Sequence, residues 1–182
     1  MEAVELRRSP RARRWRLEVP WGEPARLTVP RSMSRAEVDR VLIEKRRWIA
    51  EQRQQQVPRL GLERLAVNES EGRIGARELV TALAEEEAER LGVAYERIRI
   101  GGQRTLWGSC SVRGTLSFNW RLVLAPLEVL DYVVVHELCH LRVPNHSRRF
   151  WTLVEGHRPD WRDQRDWLRE YGPELLAFSA SA

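Results

Sequence analysis

The feature that most constrains the fold is the segment 126–146, which contains the sequence HELCH at 136–140. An almost wholly apolar run, 130–135, leads into it. Pro126 suits the first position of a helix and Pro144 cannot continue one, so the segment predicts a helix between the two prolines. Because the helix's own side chains are apolar nearly all round its axis, we expect it to be buried.

Two histidines of this helix, His136 and His140, are four residues apart and therefore lie on one face. Glu137 lies about 100° round the helix from His136, so its carboxylate reaches the rim of whatever the histidines bind. Two imidazoles on a rigid helix beside a carboxylate are typical of a zinc site. In such a site the glutamate takes a proton from a water molecule at the metal.

The best candidate for a third ligand is His146, since a catalytic zinc has three protein ligands and one open position. Pro144 and Asn145 break the helix and let the chain fold back. Three of the four histidines fall within this segment. His157, in a predicted turn, is the alternative third ligand, and two structural histidines beside a loop are the alternative without a metal.

The chain resembles the YgjP-like metallopeptidase family, which is related to the SprT-like and other HExxH peptidases. The resemblance is carried by LWGSCS at 106–111, LSFNWRL at 116–122, DYVVVHELCH at 131–140, NHS at 145–147 and FW at 150–151. It covers nearly the whole chain. It implies a zincin-like core, zinc ligands at His136, His140 and His146, and a catalytic role for Glu137.

Strand and turn signals place a small antiparallel sheet just before the metal helix, with strands at 97–100, 103–111 and 115–122. The predicted fold class is α+β, with this sheet packed against the buried helix and an N-terminal extension of β-strands plus a helix. An edge strand beside the metal can pair with an extended substrate. Trp107, Ser109 and Asn119 are candidates to line that cleft. The alternative is that these residues are structural.

Other helices are predicted on both sides of this core. A capping box at Ser34 and Glu37 opens a helix that runs to about Gln56. Further helices are predicted at 73–91, at 147–155, and from Pro159 to about Tyr171, where Gly172 ends the last one. Pro58 and Gly61 indicate a linker at 57–70. We therefore expect two domains, 1–60 and 70–182, with one continuous domain over 1–175 as the alternative.

Composition fits a soluble globular protein, because 42% of the residues are apolar and 31% are charged. No leader-like or membrane-spanning apolar run is present, so we expect a cytoplasmic protein without a membrane partner. The net charge of +5 favours anionic partners. Lys45 is the one lysine, however, so the arginine excess also fits a GC-rich genome. Cys110 and Cys139 do not imply a disulfide framework.

Three functions follow from the sequence. The first is a Zn²⁺-dependent peptidase acting on peptides or unfolded proteins. The second is hydrolysis of a nucleoside triphosphate at the same metal, because members of the family also carry the name UTP pyrophosphatase. Arginine forks suit phosphate, and we count Arg142 among the substrate-binding candidates with other arginines near the motifs, namely Arg104, Arg113, Arg121, Arg148 and Arg149. The third is an SprT-like module that contacts nucleic acid through basic N-terminal strands, with a structural zinc.

Overall fold

The structure is a computed structural model that describes residues 4–56, 59–62 and 67–179. The chain forms two compact units that divide between Arg59 and Leu60. The predicted linker, 57–70, lies partly outside the described residues. Within the described residues, six strands and five α-helices give an α+β fold, so the predicted fold class is confirmed.

The first unit is a three-stranded sheet followed by one helix. Its strands are β1 (Val4–Ser9), β2 (Arg16–Glu18) and β3 (Ala25–Pro30), and its helix is α1 (Arg35–Gln54). The sheet order is β1-β3-β2, with β1 parallel and β2 antiparallel to β3. The capping box forms as predicted, because the Glu37 amide donates to Ser34 Oγ and the Ser34 amide donates to the Glu37 carboxylate. A small apolar core joins sheet and helix through Leu27, Val29, Val38 and Val41.

The second unit contains the predicted metal helix. Its elements are α2 (Glu69–Leu91), β4 (Arg97–Gly101), β5 (Gly108–Cys110), β6 (Thr115–Asn119), a 3-10 helix (Trp120–Leu124), α3 (Leu127–His140), α4 (Arg148–His157) and α5 (Trp161–Ala177). Helix α2 begins four residues before its predicted start. It does so because the side chain of Asn68 accepts a hydrogen bond from the Glu71 amide and caps the helix there.

The sheet of the second unit is mixed, and the antiparallel pairing predicted for its first strand is wrong. Strand β4 is parallel to β6, whereas β5 is antiparallel to β6, and the order is β4-β6-β5. The predicted turn at 101–102 does not form a hairpin, because the chain crosses to the far edge of β6. The Asn119 amide nitrogen holds that crossing by donating to the carbonyl oxygens of Gln103 (2.6 Å) and Leu106 (3.2 Å).

Helix α5 does not end at Gly172 as predicted but continues through Pro173 to Ala177. Gly172 is buried, and the indole of Trp107 lies 3.0 Å from the position that a Cβ would occupy there. The glycine therefore allows a close approach between the helix and an aromatic ring, and it is not a helix cap.

Helix α3 is the centre of the second unit. Nine of its fourteen residues are buried, and it is contacted by α2, α4, α5, β5 and the 3-10 helix. A helix enclosed on all sides holds its side chains in fixed directions. Among the described residues, no helix combines the length and the apolar character needed to cross a membrane.

Candidate metal centre and its cavity

Three histidines meet at one end of α3. His136 and His140 come from the helix, and His146 from the loop that follows it. One ligand atom from each lies within 4.8 Å of the other two. The Nε2 atoms of His136 and His146 are 2.9 Å apart. Two nitrogens that each bind one zinc at about 2.0–2.1 Å can be up to about 4 Å apart, so one ion can contact both. Three imidazoles are also a donor set that zinc prefers, so these residues fit that metal.

The two helical histidines are oriented by their second ring nitrogens. His140 Nδ1 donates to the carbonyl oxygen of Val143 at 3.1 Å, which leaves its Nε2 as the lone-pair nitrogen. The hydroxyl of Tyr132, one turn before His136, lies 3.5 Å from His136 Nδ1. Burial, together with the neighbouring His140 and His146, lowers the pKa of His136 to about 3. The imidazole is therefore neutral at physiological pH, and this is the form that binds a metal.

The third histidine is held by stacked aromatic rings. His146 stacks on Trp151 with ring centroids 5.6 Å apart, and Trp151 stacks on Trp161 at 4.2 Å. Phe150 is fully buried and stacks on His140 at 4.4 Å. Helix α4 thus supplies the rings that contact His140 and His146. This explains why an exposed loop residue is held close to the helix.

An ion-pair network ties α4 to α3 and α2. Arg158, which follows α4, donates to both carboxylate oxygens of Asp131 in α3, one of them at 2.7 Å. It also pairs with Glu87 of α2 at 3.0 Å. Glu87 is 1% exposed. Because Arg158 joins two acids from two helices, it fixes the helix whose aromatic rings contact the histidines.

Glu137 lies beside the histidines and is 6% exposed. Burial raises the pKa of its carboxyl to about 8. Strand β5 passes directly over it, because a Cβ on Gly108 would lie 2.6 Å from Glu137 Oε1 and 2.7 Å from Cγ. Glycine at position 108 therefore makes the room that this carboxylate occupies.

The three histidines and Glu137 line a cavity of about 590 Å³. Of the predicted substrate-binding residues, Trp107 and Ser109 line it. Asn119 does not: it is fully buried, and its amide holds the crossing between β4 and β5. Arg142 lines two other cavities on the surface of this unit. The structure therefore brings two of these four candidates to the cavity that the three histidines line.

Two arginines that the sequence did not single out also line this cavity. Arg165 and Arg169 come from α5, with Leu168 between them. The spacing of three and four residues places them on one helix face. In a chain with this many arginines, that spacing alone did not distinguish them. The arginines that were singled out near the motifs are absent from the lining, namely Arg104, Arg113, Arg121, Arg142, Arg148 and Arg149.

The alternative ligand and the two cysteines are placed as follows. His157 lies at the end of α4 and lines a different cavity from the one that holds the other three histidines. Cys110 and Cys139 are free thiols, and burial raises the pKa of both, that of Cys139 to about 12. Cys110 lines the metal cavity, whereas Cys139 is fully buried in α3.

Comparison with solved structures finds partial likenesses to two archaeal proteins. The metallopeptidase zymogen of Pyrococcus abyssi, abylysin, is 26% identical over 49% of this chain and 90% of that chain, with a TM-score of 0.46. The metallopeptidase zymogen of Methanocaldococcus jannaschii, jannalysin, is 20% identical over 50% of this chain and 94% of that chain, with a TM-score of 0.45. No curated protein matches the chain.

The family comparison covers more than half of the chain. Residues 69–171 match the model of the YgjP-like metallopeptidase domain. The matched region runs from the start of α2 into α5 and includes all three clustered histidines and Glu137. The resemblance inferred from the sequence motifs is therefore confirmed, and the chain belongs to the YgjP-like metallopeptidase family.

Proposed function

We propose that this chain is a zinc-dependent peptidase whose metal is held by His136, His140 and His146. The observation that carries the proposal is the meeting of these three side chains in one cavity with a buried carboxylate. When bound there, zinc would supply Lewis-acid activation of water and of the scissile carbonyl group.

Glu137 acts in this proposal as the general base and then as the general acid. It lies on the same helix end as two of the histidines and faces the cavity. With a pKa raised to about 8 by burial, its carboxyl binds a proton readily near neutral pH. A group of this kind can take a proton from the attacking water and pass it to the leaving amine.

Strand β5 offers a place for an extended peptide. It lies at the edge of its sheet and lines the cavity with Gly108, Ser109 and Cys110. Within the described residues its one strand partner is β6. A peptide or an unfolded segment can add to the free edge by main-chain hydrogen bonds, and folded proteins offer few such segments.

The residues that line the cavity favour a peptide substrate over a nucleotide substrate. None of the arginines that the sequence singled out for phosphate groups lies in the lining, so that expectation gives a nucleotide substrate no support, whereas the free edge of β5 suits an extended peptide. The predicted contact of nucleic acid with the basic N-terminal strands and the predicted cytoplasmic location stay predictions.

The test compares the zinc-loaded wild-type protein with Glu137→Gln, which keeps the shape of the side chain. We expect hydrolysis of an unfolded protein such as reduced casein to fall by about 100- to 10,000-fold in the variant, while its zinc content stays at the wild-type value. Release of pyrophosphate or phosphate from UTP is measured in parallel and should be absent from both proteins. A variant as active as wild type would disprove the assignment of Glu137.

A further inference from the structure

The α5 wall of the metal cavity carries positive charge. Arg165, Leu168 and Arg169 are the three residues of α5 that line it. The one carboxylate in the lining is that of the buried Glu137, and apart from the two arginines the other ionisable groups there are the three histidines, the Cys110 thiol and the Tyr132 hydroxyl. The wall therefore presents guanidinium groups to a cavity whose other walls are largely apolar or aromatic, such as Leu106, Trp107 and Val133.

The two arginines share one acidic partner outside the cavity. Asp166 accepts from Arg165 Nη2 at 3.1 Å and lies 3.6 Å from Arg169 Nη2. One carboxylate cannot neutralise two guanidinium groups, so the pair keeps a net positive charge. The side chains of Arg165 and Arg169 are 46% and 77% exposed, so both remain open to a ligand.

Arg165 is held in place more firmly than an ordinary surface arginine. Its guanidinium lies 4.9 Å from the ring centroid of Trp161, which is 4% exposed and stacks on Trp151. Trp151 in turn stacks on His146. The same packed rings that position the third histidine therefore fix one guanidinium beside the cavity, which lowers the entropy that Arg165 loses when it binds an anion.

We propose that Arg165 and Arg169 form a carboxylate-binding subsite, so that this cavity selects peptides with an acidic group close to the cleaved bond. Arginine forks match the two oxygens of a carboxylate, and the apolar neighbours accommodate the hydrocarbon part of the same side chain. The subsite rests on the proposed peptidase function. The carboxylate can belong to an internal Asp or Glu side chain or to the C-terminus of the substrate.

The experiment uses the full-length, zinc-loaded protein and four peptides of equal length, built around a bond that it cleaves in reduced casein. Two peptides carry Glu beside that bond and two carry Gln, and each pair is made with a free and with an amidated C-terminus. We expect kcat/KM to be about tenfold higher for a peptide with the preferred carboxylate than for its neutral partner. The Glu/Gln ratio identifies the side chain as the source, and the acid/amide ratio identifies the terminus.

Two variants show whether the preference comes from α5. In the double variant Arg165→Gln, Arg169→Gln, the ratio of kcat/KM between the preferred carboxylate peptide and its neutral partner should fall to about one, since both guanidinium groups are lost. Arg162→Gln is the matched control, because Arg162 lies 4.6 Å from the centroid of the same Trp161 ring but is absent from the cavity lining. This control should keep the wild-type ratio. The subsite would be overturned if the wild-type protein cleaved all four peptides at equal rates, or if the double variant kept the wild-type ratio of kcat/KM between the carboxylate peptide and its neutral partner.

A failure of the peptidase function gives a different result, because the wild-type protein then does not cleave casein. Four peptides of the same design, built on an extended segment of casein, then test the subsite by their binding to zinc-loaded Glu137→Gln, measured by calorimetry. Tighter binding of a carboxylate peptide that disappears in the α5 double variant supports the subsite. Equal binding of all four peptides disproves it.

Discussion

The two units of the molecule repeat one arrangement of strands. In each sheet the first and third strands are parallel, and the second strand pairs antiparallel with the third at the opposite edge. In each unit a helix follows the third strand, directly as α1 in the first unit and after a short 3-10 helix as α3 in the second. The same topology is therefore present with and without a candidate metal centre.

The difference lies in how completely the helix is enclosed. Helix α1 buries three of its twenty residues, Val38, Val41 and Ile49, whereas α3 buries nine of fourteen. The first 59 residues also contain no histidine. A helix packed on one side suffices to cover a small sheet. A helix packed on all sides can hold imidazoles and a carboxylate in the fixed geometry that a metal site needs, so enclosure and side chains, and not topology, distinguish the two units.

The largest effect is expected from removing the ligand that α3 does not itself supply. His146→Ala should weaken zinc binding by more than about 100-fold, beyond the usual effect of an outer-shell change, and abolish hydrolysis. His157→Ala is the control, because that histidine lies at a different cavity, and it should bind zinc as the wild type does. Competition with a chelator measures both affinities. Equal loss in the two variants would show that the triad is not the metal site.

The second strand of each sheet offers a direct comparison of the two units. Gly108 opens β5 and Arg16 opens β2 at the equivalent position. Gly108→Ala would place a methyl group against the Glu137 carboxylate, which must shift, so hydrolysis should fall by about 100-fold while the fold is kept. Arg16→Ala affects an exposed side chain and should leave activity unchanged. Assays of kcat/KM, with circular dichroism to check folding, decide between these outcomes.

Ion pairs extend the same contrast to stability. Arg158→Ala leaves Asp131 without its partner and removes one partner of the buried Glu87, so we expect a loss of about 2–3 kcal/mol in the free energy of unfolding. Arg35→Ala removes an exposed pair with Asp39 on α1 and should cost less than about 0.5 kcal/mol. Urea denaturation measures both values. Similar losses would mean that the network around α3 is no stronger than a surface pair.

The sequence predicted what depends on local spacing. The buried helix at 127–140, the shared face of His136 and His140, and the capping box at Ser34 all follow from residues within one or two turns of each other. The parallel pairing of β4 with β6 was missed, because it depends on a buried Asn119 amide that holds the crossing. Arg165 was missed for a similar reason, since only the packing of α5 brings it to the cavity.

The smallest effects are expected from substitutions that test how tightly α3 is enclosed. They act on the contact between α2 and the 3-10 helix that precedes α3. A Cβ on Gly72 would lie 2.5 Å from the Cε3 atom of Trp120, which is fully buried, whereas nothing lies within 4 Å of a Cβ on Gly75. Gly72→Ala should therefore destabilise the protein by about 1–2 kcal/mol despite the better helix propensity of alanine. Gly75→Ala, one turn later in the same helix, should stabilise it by up to about 1 kcal/mol. Thermal unfolding of the two variants gives the comparison. If both glycines tolerate alanine equally, Trp120 is not packed tightly against α2. The enclosure of α3, by which the second unit differs from the first, is then looser than the contacts indicate.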